Sequence, residues 1–352
     1  MSSAAPLPGF TYARSADGTD IAYVRLGSGP TVVIVPPVPF SNVSGDWSVP
    51  LVRQVYSRLA ADFELLLYDG RGTGASQRSV SDLSTDALTA DLQAVLDDAG
   101  VEAATLLAIY LAAAPAVTFA ARRPDRVHRL VLIGAVARGD TALDRPGTGA
   151  LLSLIDEDWE LFTRSAALDW MGWGVGESGE LVADSFRAAT TPEVAQAALA
   201  AFASTDLSPL LGDVAAETLV MHRRDGRHVP MERSSELAAG IPSARLHVLE
   251  GASATLFFDD PDGTTDLIVG FARPGHVLSC ASAAGSPAMV PLSAREEEVL
   301  RLIAAGDSNA EISAALHISI HTVERHAVNI YRKIGARGRA DATAWALRNG
   351  LG

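Results

Sequence analysis

Residues 292–346 have the sequence LSAREEEVLRLIAAGDSNAEISAALHISIHTVERHAVNIYRKIGARGRADATAWA, which carries the signals of four short helices. Ser293, Ser308 and Ser319 each stand where a helix is expected to begin, and a glutamate follows the first two at capping-box spacing. Gly306 is the expected end of the first helix. Two short helices joined by a tight turn, the second longer and more basic, are typical of a helix-turn-helix unit.

The helix predicted over residues 321–334 has two distinct faces. At 100° per residue, Val323, Ala327, Ile330 and Ile334 fall on one side, which we expect to face a core. The other side carries guanidinium, amide, hydroxyl and ammonium groups, which suit base edges and phosphates. The residues predicted to contact DNA are His321, Thr322, Arg325, His326, Asn329, Arg332 and Lys333.

The quoted stretch resembles the LuxR-type DNA-binding domain throughout. The resemblance implies that the Thr322–Lys333 helix enters the major groove of a double-stranded operator. It also implies that a fourth helix, from about Arg339 to Asn349, helps to form a homodimer. Ala310 stands where this family often has a basic residue, so we expect one phosphate contact to be absent.

The charge of the chain is unevenly distributed, as a local DNA contact requires. The 352 residues carry 28 Lys and Arg against 42 Asp and Glu, a net charge of −14. From Val290 onward there are 8 basic residues against 7 acidic ones, and from Arg325 onward 6 against 1. An acidic body with a basic end favours phosphate contact at that end.

Residues 1–272 alternate short apolar runs with helical periodicity, which predicts a doubly wound α/β sheet. One helix is expected over Ser84–Ala99, with Gly100 as its end signal. Strands are predicted at Ile21–Leu26, Thr31–Val35, Glu64–Asp69, Ala104–Ile109, Arg129–Gly134, Thr218–His222 and Arg245–Leu249.

Two changes of pattern divide the chain further. Between about residues 140 and 214 the strand signals vanish, and tryptophan-bearing helical segments predict an inserted helical cap. Residues 273–290 are rich in Ser, Ala, Gly and Pro, which predicts a linker. We therefore expect a sensor domain over residues 1–272 and a helix-turn-helix domain over residues 291–352.

Five motifs in residues 1–272 resemble those of the α/β-hydrolase fold, cap included. Each motif is weak alone, but their joint order and spacing are specific. The motifs are YDGRGTGAS (68–76), LLAIYLAAAPAV (106–117), RRPDRVHRLVLIG (122–134), LVMHRRDGRHVP (219–230) and LEGASATLFFDDP (249–261).

Other residue types occupy two of the three catalytic positions that this resemblance implies. Where the family has G-x-S-x-G, the chain has AIYLA, so Tyr110 stands at the nucleophile position. The acid position matches Asp225, the histidine position matches Ala254, and Pro36-Pro37 replaces the His-Gly pair before the oxyanion loop. A phenol with a pKa near 10 and no adjacent base is a poor nucleophile, so we expect no catalysis.

The space between sheet and cap is the expected site of a small hydrophobic effector. The resemblance implies that two backbone N–H groups, of Val38 and Leu111, occupy the positions of the oxyanion donors. The residues predicted to bind the effector are Val38, Tyr110, Leu111, Trp159, Trp170 and Trp173.

Features of the whole sequence exclude other classes of protein. A lone cysteine, Cys280, excludes a disulfide framework and a multi-cysteine metal site, and no metal or cofactor is expected. The N-terminus lacks the pattern of a signal peptide. The apolar run Ala104–Ala121 is expected to form a buried strand, turn and helix instead of a membrane span. A cytoplasmic location is expected.

These features favour a DNA-binding transcription regulator whose inactive hydrolase-like domain binds a small hydrophobic effector. Two alternatives stay open. In the first, the chain is an active hydrolase fused to a DNA-binding module, with His222 or His228 as the replacement base. In the second, the hydrolase-like domain serves only dimerisation or protein docking.

Overall fold

The computed structural model describes residues 6–144, 147–171, 177–226, 228–253, 255–273, 294–316 and 338–348, together with residues 323, 326, 327, 330, 331, 334, 336 and 351. The chain divides into two compact units, Met1–Val277 and Leu278–Gly352. The predicted linker, including Cys280, lies outside the described residues except for Arg273. Among the helices described, none is long and apolar enough to cross a lipid bilayer.

The first unit is built on one eight-stranded sheet of order β1-β2-β4-β3-β5-β6-β7-β8. Strand β2 pairs antiparallel with both β1 and β4, and all other neighbours are parallel. The strands are β1 (Thr11–Arg14), β2 (Asp20–Gly27), β3 (Thr31–Val35), β4 (Glu64–Tyr68), β5 (Ala104–Ile109), β6 (Val127–Ile133), β7 (Glu217–Arg223) and β8 (Ala244–Leu249).

The doubly wound sheet predicted from the sequence is confirmed. Strands β2 to β8 are the seven predicted strands. In β3, β5 and β6 the signal was a buried run of Val, Ile and Leu, which marks parallel strands covered on both faces. Strand β1 was not predicted, since three of its four residues are exposed and its sequence shows no apolar run. The Ala104–Ala121 run forms β5, a 3₁₀ turn and a helix, as expected.

Helices cover both faces of the sheet. Helix α3 begins after Ser84, whose side chain accepts a hydrogen bond from the Ala87 N–H at 3.3 Å, and it buries Leu92, Val95 and Leu96. The helices outside the cap are α1 (Val43–Ser48), α2 (Pro50–Leu59), α3 (Thr85–Asp98), α4 (Ala113–Arg122), α10 (Met231–Gly240) and α11 (Pro261–Ala272).

Helical segments fill the region between β6 and β7, where the sequence predicted a cap. The two strands nevertheless pair directly, with Ile133 opposite Met221, so the helices form an insertion beside an unbroken sheet. The cap helices are α5 (Gly139–Leu143), α6 (Thr148–Glu157), α7 (Trp159–Met171), α8 (Glu177–Ala189) and α9 (Pro192–Ala203), followed by a 3₁₀ turn at Ser208–Asp213.

A buried ion pair fixes the loop that follows β4. The Arg71 guanidinium donates from Nε and Nη2 to the two carboxylate oxygens of Asp91, at 2.8 and 2.7 Å. Both side chains are 1% exposed. A second donation, to the Asp17 carboxylate at 2.7 Å, ties the same loop to the β1–β2 turn. The guanidinium thus joins three separate segments of the chain.

The second unit contains α12 (Ala294–Ala305), α13 (Asn309–Leu316) and α14 (Arg339–Arg348). The predicted capping box at Ser308 and Glu311 is confirmed, because each residue's N–H donates to the other's side chain, at 2.7 and 3.3 Å. Val323, Ala327 and Ile330 are buried as predicted, and Ile334 packs partly buried against the same core.

Candidate functional site

Tyr110 occupies a sharp turn between strand β5 and helix α4. Its φ of +49° lies in the left-handed region, which costs an L-residue about 1–2 kcal/mol. Ala108 and Ala112, two residues away on either side, are buried and small, so the turn has room to close. The backbone therefore holds a strained elbow, and the side chain at its tip is 7% exposed.

The Tyr110 ring packs against the cap. Its centroid lies 5.6 Å from that of Trp170 on α7, with the planes at 83°, and 5.8 Å from that of Phe202 on α9. The ring of His228, in the loop after β7, lies 6.2 Å away. Residues from the sheet, two cap helices and one loop thus converge at the elbow.

Two small cavities adjoin this elbow. The larger has a volume of about 70 Å³ and the smaller about 40 Å³. Tyr110, Trp170 and Phe40 line both, so these three rings form the wall between them. The larger cavity is mainly apolar, and its aromatic lining is Phe40, Tyr110, Trp170, Phe186, Phe257 and Phe258.

Asp46, on α1, brings a carboxyl group to the larger cavity. Ser185 on cap helix α8 donates its hydroxyl to that carboxylate at 3.2 Å, and Asn42 donates to the Ser185 carbonyl at 3.1 Å. Burial, reinforced by the nearby charge of Asp69, raises the pKa of Asp46 to about 7. Asp46 therefore changes its charge near neutral pH.

Of the two histidines considered as replacement bases, the structure brings His228 to Tyr110. His228 Nε2 lies 2.5 Å from the Asp169 carbonyl oxygen, and Nδ1 lies 3.5 Å from the Asp169 carboxylate. His222 instead hydrogen-bonds through Nδ1 to Ser234 Oγ at 2.9 Å, and burial lowers its pKa. His222 is thus held within the core.

Val38 lies in the loop after β3. Its N–H donates to the Pro36 carbonyl at 3.1 Å, and its side chain packs with Leu83 and Ala198. Its role as a donor to a ligand stays a prediction. Leu111 lies in the 3₁₀ turn directly after Tyr110 and is 4% exposed.

The remaining predicted positions are dispersed. Trp159 stacks on Phe162 at 5.3 Å, one helical turn before the cavity-lining part of α7, so it supports the lining instead of forming it. Asp225 is exposed in the turn after β7, and its N–H donates to the Gly251 carbonyl at 3.0 Å. Trp173 and Ala254 lie outside the described residues.

Sequence reasoning missed most of the cavity lining. Phe186 and Val182 share one face of α8 at i, i+4 spacing, a signal that helical periodicity contains. Phe257 and Phe258 lie within the quoted LEGASATLFFDDP motif. Asp46 carried no signal, because a single aspartate in a short helix is indistinguishable from a surface residue.

Comparison with known proteins identifies the first unit. The family model described as alpha/beta hydrolase fold matches residues 40–173. A 2-hydroxy-6-oxononadienedioate/2-hydroxy-6-oxononatrienedioate hydrolase of Cupriavidus pinatubonensis is 31% identical over 207 residues, which are 56% of this chain and 71% of that protein. The chain belongs to the alpha/beta hydrolase fold family.

Solved structures share the fold of this alpha/beta hydrolase domain. The esterase EaEST of Exiguobacterium antarcticum superposes with a TM-score of 0.66 at 21% identity, covering 75% of this chain and 99% of that one. The enol-lactonase of Burkholderia xenovorans LB400 gives 0.63 at 23% identity, covering 74% and 99%. The alpha/beta hydrolase fold thus accounts for nearly the whole length of both enzymes.

The alpha/beta hydrolase domain is followed by a LuxR-type DNA-binding domain. The family model of bacterial regulatory proteins, luxR family, matches residues 290–346. Of the side chains predicted to contact DNA, His326 is described and is half-buried. The others, namely His321, Thr322, Arg325, Asn329, Arg332 and Lys333, lie outside the described residues.

Proposed function

We propose that this protein is a transcription regulator in which the hydrolase domain senses a small hydrophobic molecule and the LuxR-type domain binds an operator. It acts in the cytoplasm and binds DNA as a homodimer, since helix-turn-helix domains of this kind read two half-sites about one helical turn apart. The observation that carries the proposal is an aromatic cavity beside Tyr110, at the turn where this fold carries its nucleophile. The same chain contains a LuxR-type DNA-binding domain.

Loss of catalysis is part of this proposal. The strained strand-to-helix turn is where this fold carries its nucleophile, and here it presents a tyrosine that packs against Trp170 and Phe202. Asp225, which matches the acid position, is exposed in the turn after β7. The proposed role of Tyr110 is therefore to line a binding cavity.

The cavity supports a sensing role because its walls come from two parts of the fold. Tyr110 lies in the turn directly after strand β5 of the sheet, whereas Trp170 and Phe186 belong to the cap. An effector shifts an equilibrium only if it binds one arrangement better than the other. A ligand held between sheet and cap meets this condition, because any cap displacement changes its contacts.

The decisive experiment measures operator binding by the full chain with and without cavity ligands. A library of small hydrophobic compounds is screened by thermal shift, where a ligand at 100 times its dissociation constant adds about 2.7 kcal/mol of stability. Hits are then tested for a change in operator affinity. Tyr110→Ala is expected to alter ligand affinity at least tenfold, whereas Leu161→Ala, on an exposed cap position, is expected to leave it unchanged.

Two other functions give different results in that experiment. Hydrolysis is the rival favoured by one observation, the position of His228 and Asp169 beside Tyr110. It predicts that hits are consumed and that His228→Ala stops their consumption. A hydrolase domain that serves only dimerisation predicts no hits at all, together with loss of the dimer when the domain is removed.

A further inference from the structure

The larger cavity combines an aromatic wall with a single acidic group. Of the residues described around it, Asp46 alone carries a carboxyl group. The surrounding rings are closely associated, with Phe40 4.8 Å from Phe186 and 5.2 Å from Trp170 between centroids. Aromatic faces attract cations, and they do so more strongly where water is excluded.

In none of the described ion pairs does a basic side chain contact the Asp46 carboxylate. Arg53 on α2 donates to the Trp47 carbonyl at 3.0 Å, Arg58 pairs with Asp266, and Arg187 on α8 pairs with Asp184 at 2.9 Å. The titratable groups that interact with Asp46 are Asp69 and Tyr56, and neither supplies positive charge.

Among the residues that the structure describes, one side chain donates a hydrogen bond to the Asp46 carboxylate, the Ser185 hydroxyl. An ionised carboxylate accepts several, since its two oxygens offer about four lone-pair sites. Asp46 is half-buried, and a carboxylate partly shielded from water with one neutral donor and no counter-ion among the described ion pairs is costly to ionise. The protein meets this cost by raising the pKa of the group. A cationic donor bound in the cavity lowers the cost of ionising Asp46 in another way, because it stabilises the carboxylate directly.

We infer that the effector of this cavity is a small hydrophobic amine, whose ammonium group donates to Asp46 while its apolar part contacts Phe40, Trp170 and Phe186. This inference rests on the proposed function and narrows the class of effector. Binding the ammonium ionises Asp46, so a proton leaves the carboxyl group when binding occurs below neutral pH. Where Asp46 is ionised, above about pH 7, hydrophobic carboxylates are repelled from the same cavity.

The test is isothermal titration of the full chain with three probes of similar shape: 2-phenylethylamine, 2-phenylethanol and phenylacetate. The amine is expected to bind at least tenfold more tightly than the alcohol, and phenylacetate not to bind. Asp46→Asn is expected to weaken the amine at least tenfold and to change the alcohol less than twofold. Asn keeps an oxygen that accepts the Ser185 hydrogen bond, so the variant retains the local contacts.

The pH dependence of amine binding to the unmodified protein is a second, independent test. The amine stays protonated, with a pKa near 10, whereas Asp46 must lose its proton, so amine affinity is expected to rise up to about tenfold per pH unit below pH 7 and to level off above it. Proton release, measured as a buffer dependence of the heat at pH 6, is expected for the amine and absent for the alcohol.

The outcomes separate this inference from the proposed function. An amine that binds no better than the alcohol, or whose affinity is independent of pH from 6 to 8, overturns the inference. If 2-phenylethanol still binds and Trp170→Ala weakens its binding, the cavity remains a site for a hydrophobic ligand that is not an amine. If no probe binds, the amine inference is overturned and the library screen decides the proposed function alone.

Discussion

The rings of Tyr110 and Trp170 meet edge to face, with 5.6 Å between their centroids and 83° between their planes. One ring belongs to the elbow after β5 and the other to cap helix α7, so the contact crosses from sheet to cap. An aromatic pair of this geometry contributes about 0.5–1.5 kcal/mol beyond the area that it buries. Any movement of the cap against the sheet must break or remake it.

Replacing Tyr110 with alanine is expected to lower the free energy of unfolding by about 3–5 kcal/mol, because the lost ring leaves a cavity beside Trp170 and Phe202. Tyr110→Gly removes the same ring but tolerates the φ of +49°, so it is expected to be about 1 kcal/mol more stable than the alanine variant. Urea titration followed by tryptophan fluorescence measures both. Equal stability of the two variants would show that the turn is unstrained.

The unmodified protein is expected to hydrolyse p-nitrophenyl esters no faster than background. The reason is that a tyrosine phenol is a weak acyl acceptor unless an adjacent base activates it. His228→Ala serves as the matched control, because His228 is the imidazole that lies beside Tyr110. Turnover that this substitution abolishes would establish a working catalytic site.

Arg71→Ala is expected to destabilise the protein by about 3–5 kcal/mol, because it leaves the Asp91 carboxylate buried without its guanidinium. The double variant Arg71→Met with Asp91→Leu is expected to recover most of this loss. Arg122→Ala breaks an exposed pair with Asp86 and is expected to cost less than about 1 kcal/mol. Equal losses for Arg71→Ala and Arg122→Ala in denaturant titrations would contradict the role of burial.

Asp46 is expected to make the protein less stable as pH rises from about 4 to 7. In the unfolded chain the carboxyl ionises near its usual pKa of about 3.9, whereas in the folded protein its pKa is raised to about 7. The unfolded state therefore loses its proton first, and the stability contributed by Asp46 declines across this window and is level above it.

Asp46→Asn removes this decline, so the variant is expected to exceed the unmodified protein by more than about 1 kcal/mol at pH 8 and to match it below pH 4. Ser185→Ala removes the hydrogen bond that favours the ionised carboxylate, and it is expected to steepen the decline. Thermal unfolding at fixed pH values measures all three proteins. Parallel pH profiles would exclude a raised pKa at Asp46.

Arg325→Ala is expected to weaken specific operator binding by about 1–3 kcal/mol and to relax one base position, since a guanidinium pairs bidentately with guanine. Lys333→Ala is expected to weaken all DNA sequences alike and to flatten the salt dependence. The control is Arg301→Ala on α12, where Arg301 pairs with Glu297 at 3.3 Å. Quantitative footprinting measures the operator affinity of all three variants. If Arg301→Ala weakens specific binding as much as Arg325→Ala, the residue 321–334 helix is not the one that contacts the bases.

The sheet could be predicted from the sequence because its signals are local. Runs such as Thr31–Val35 and Ala104–Ile109 are continuous and apolar, and the structure reproduces both boundaries. The Ser308–Glu311 capping box is equally local, since four consecutive residues contain both of its hydrogen bonds. The edge strand β1 has neither property, and only its pairing with β2 defines it.

The candidate site could be predicted only where a motif marked it. Tyr110 was found because the elbow motif fixes its position, and Trp170 because tryptophan is conspicuous in a helical segment. The proximity of Asp46 to Ser185 depends on a contact between residues 139 positions apart, which no local pattern encodes. The hydrogen bond from the Val38 N–H to the Pro36 carbonyl could not be predicted for a related reason, since it depends on the path of the loop.

The cap insertion between β6 and β7 also sets an order of events on the ribosome. Strand β6 is complete at Ile133, but its neighbour β7 begins only at Glu217. At about 5–20 residues per second, roughly 4–17 s of translation separate the two strands, and during that time the edge of β6 that β7 later covers is unpaired. An unpaired strand edge is a site where another chain can pair, so the insertion lengthens the time during which the nascent sheet is exposed to aggregation.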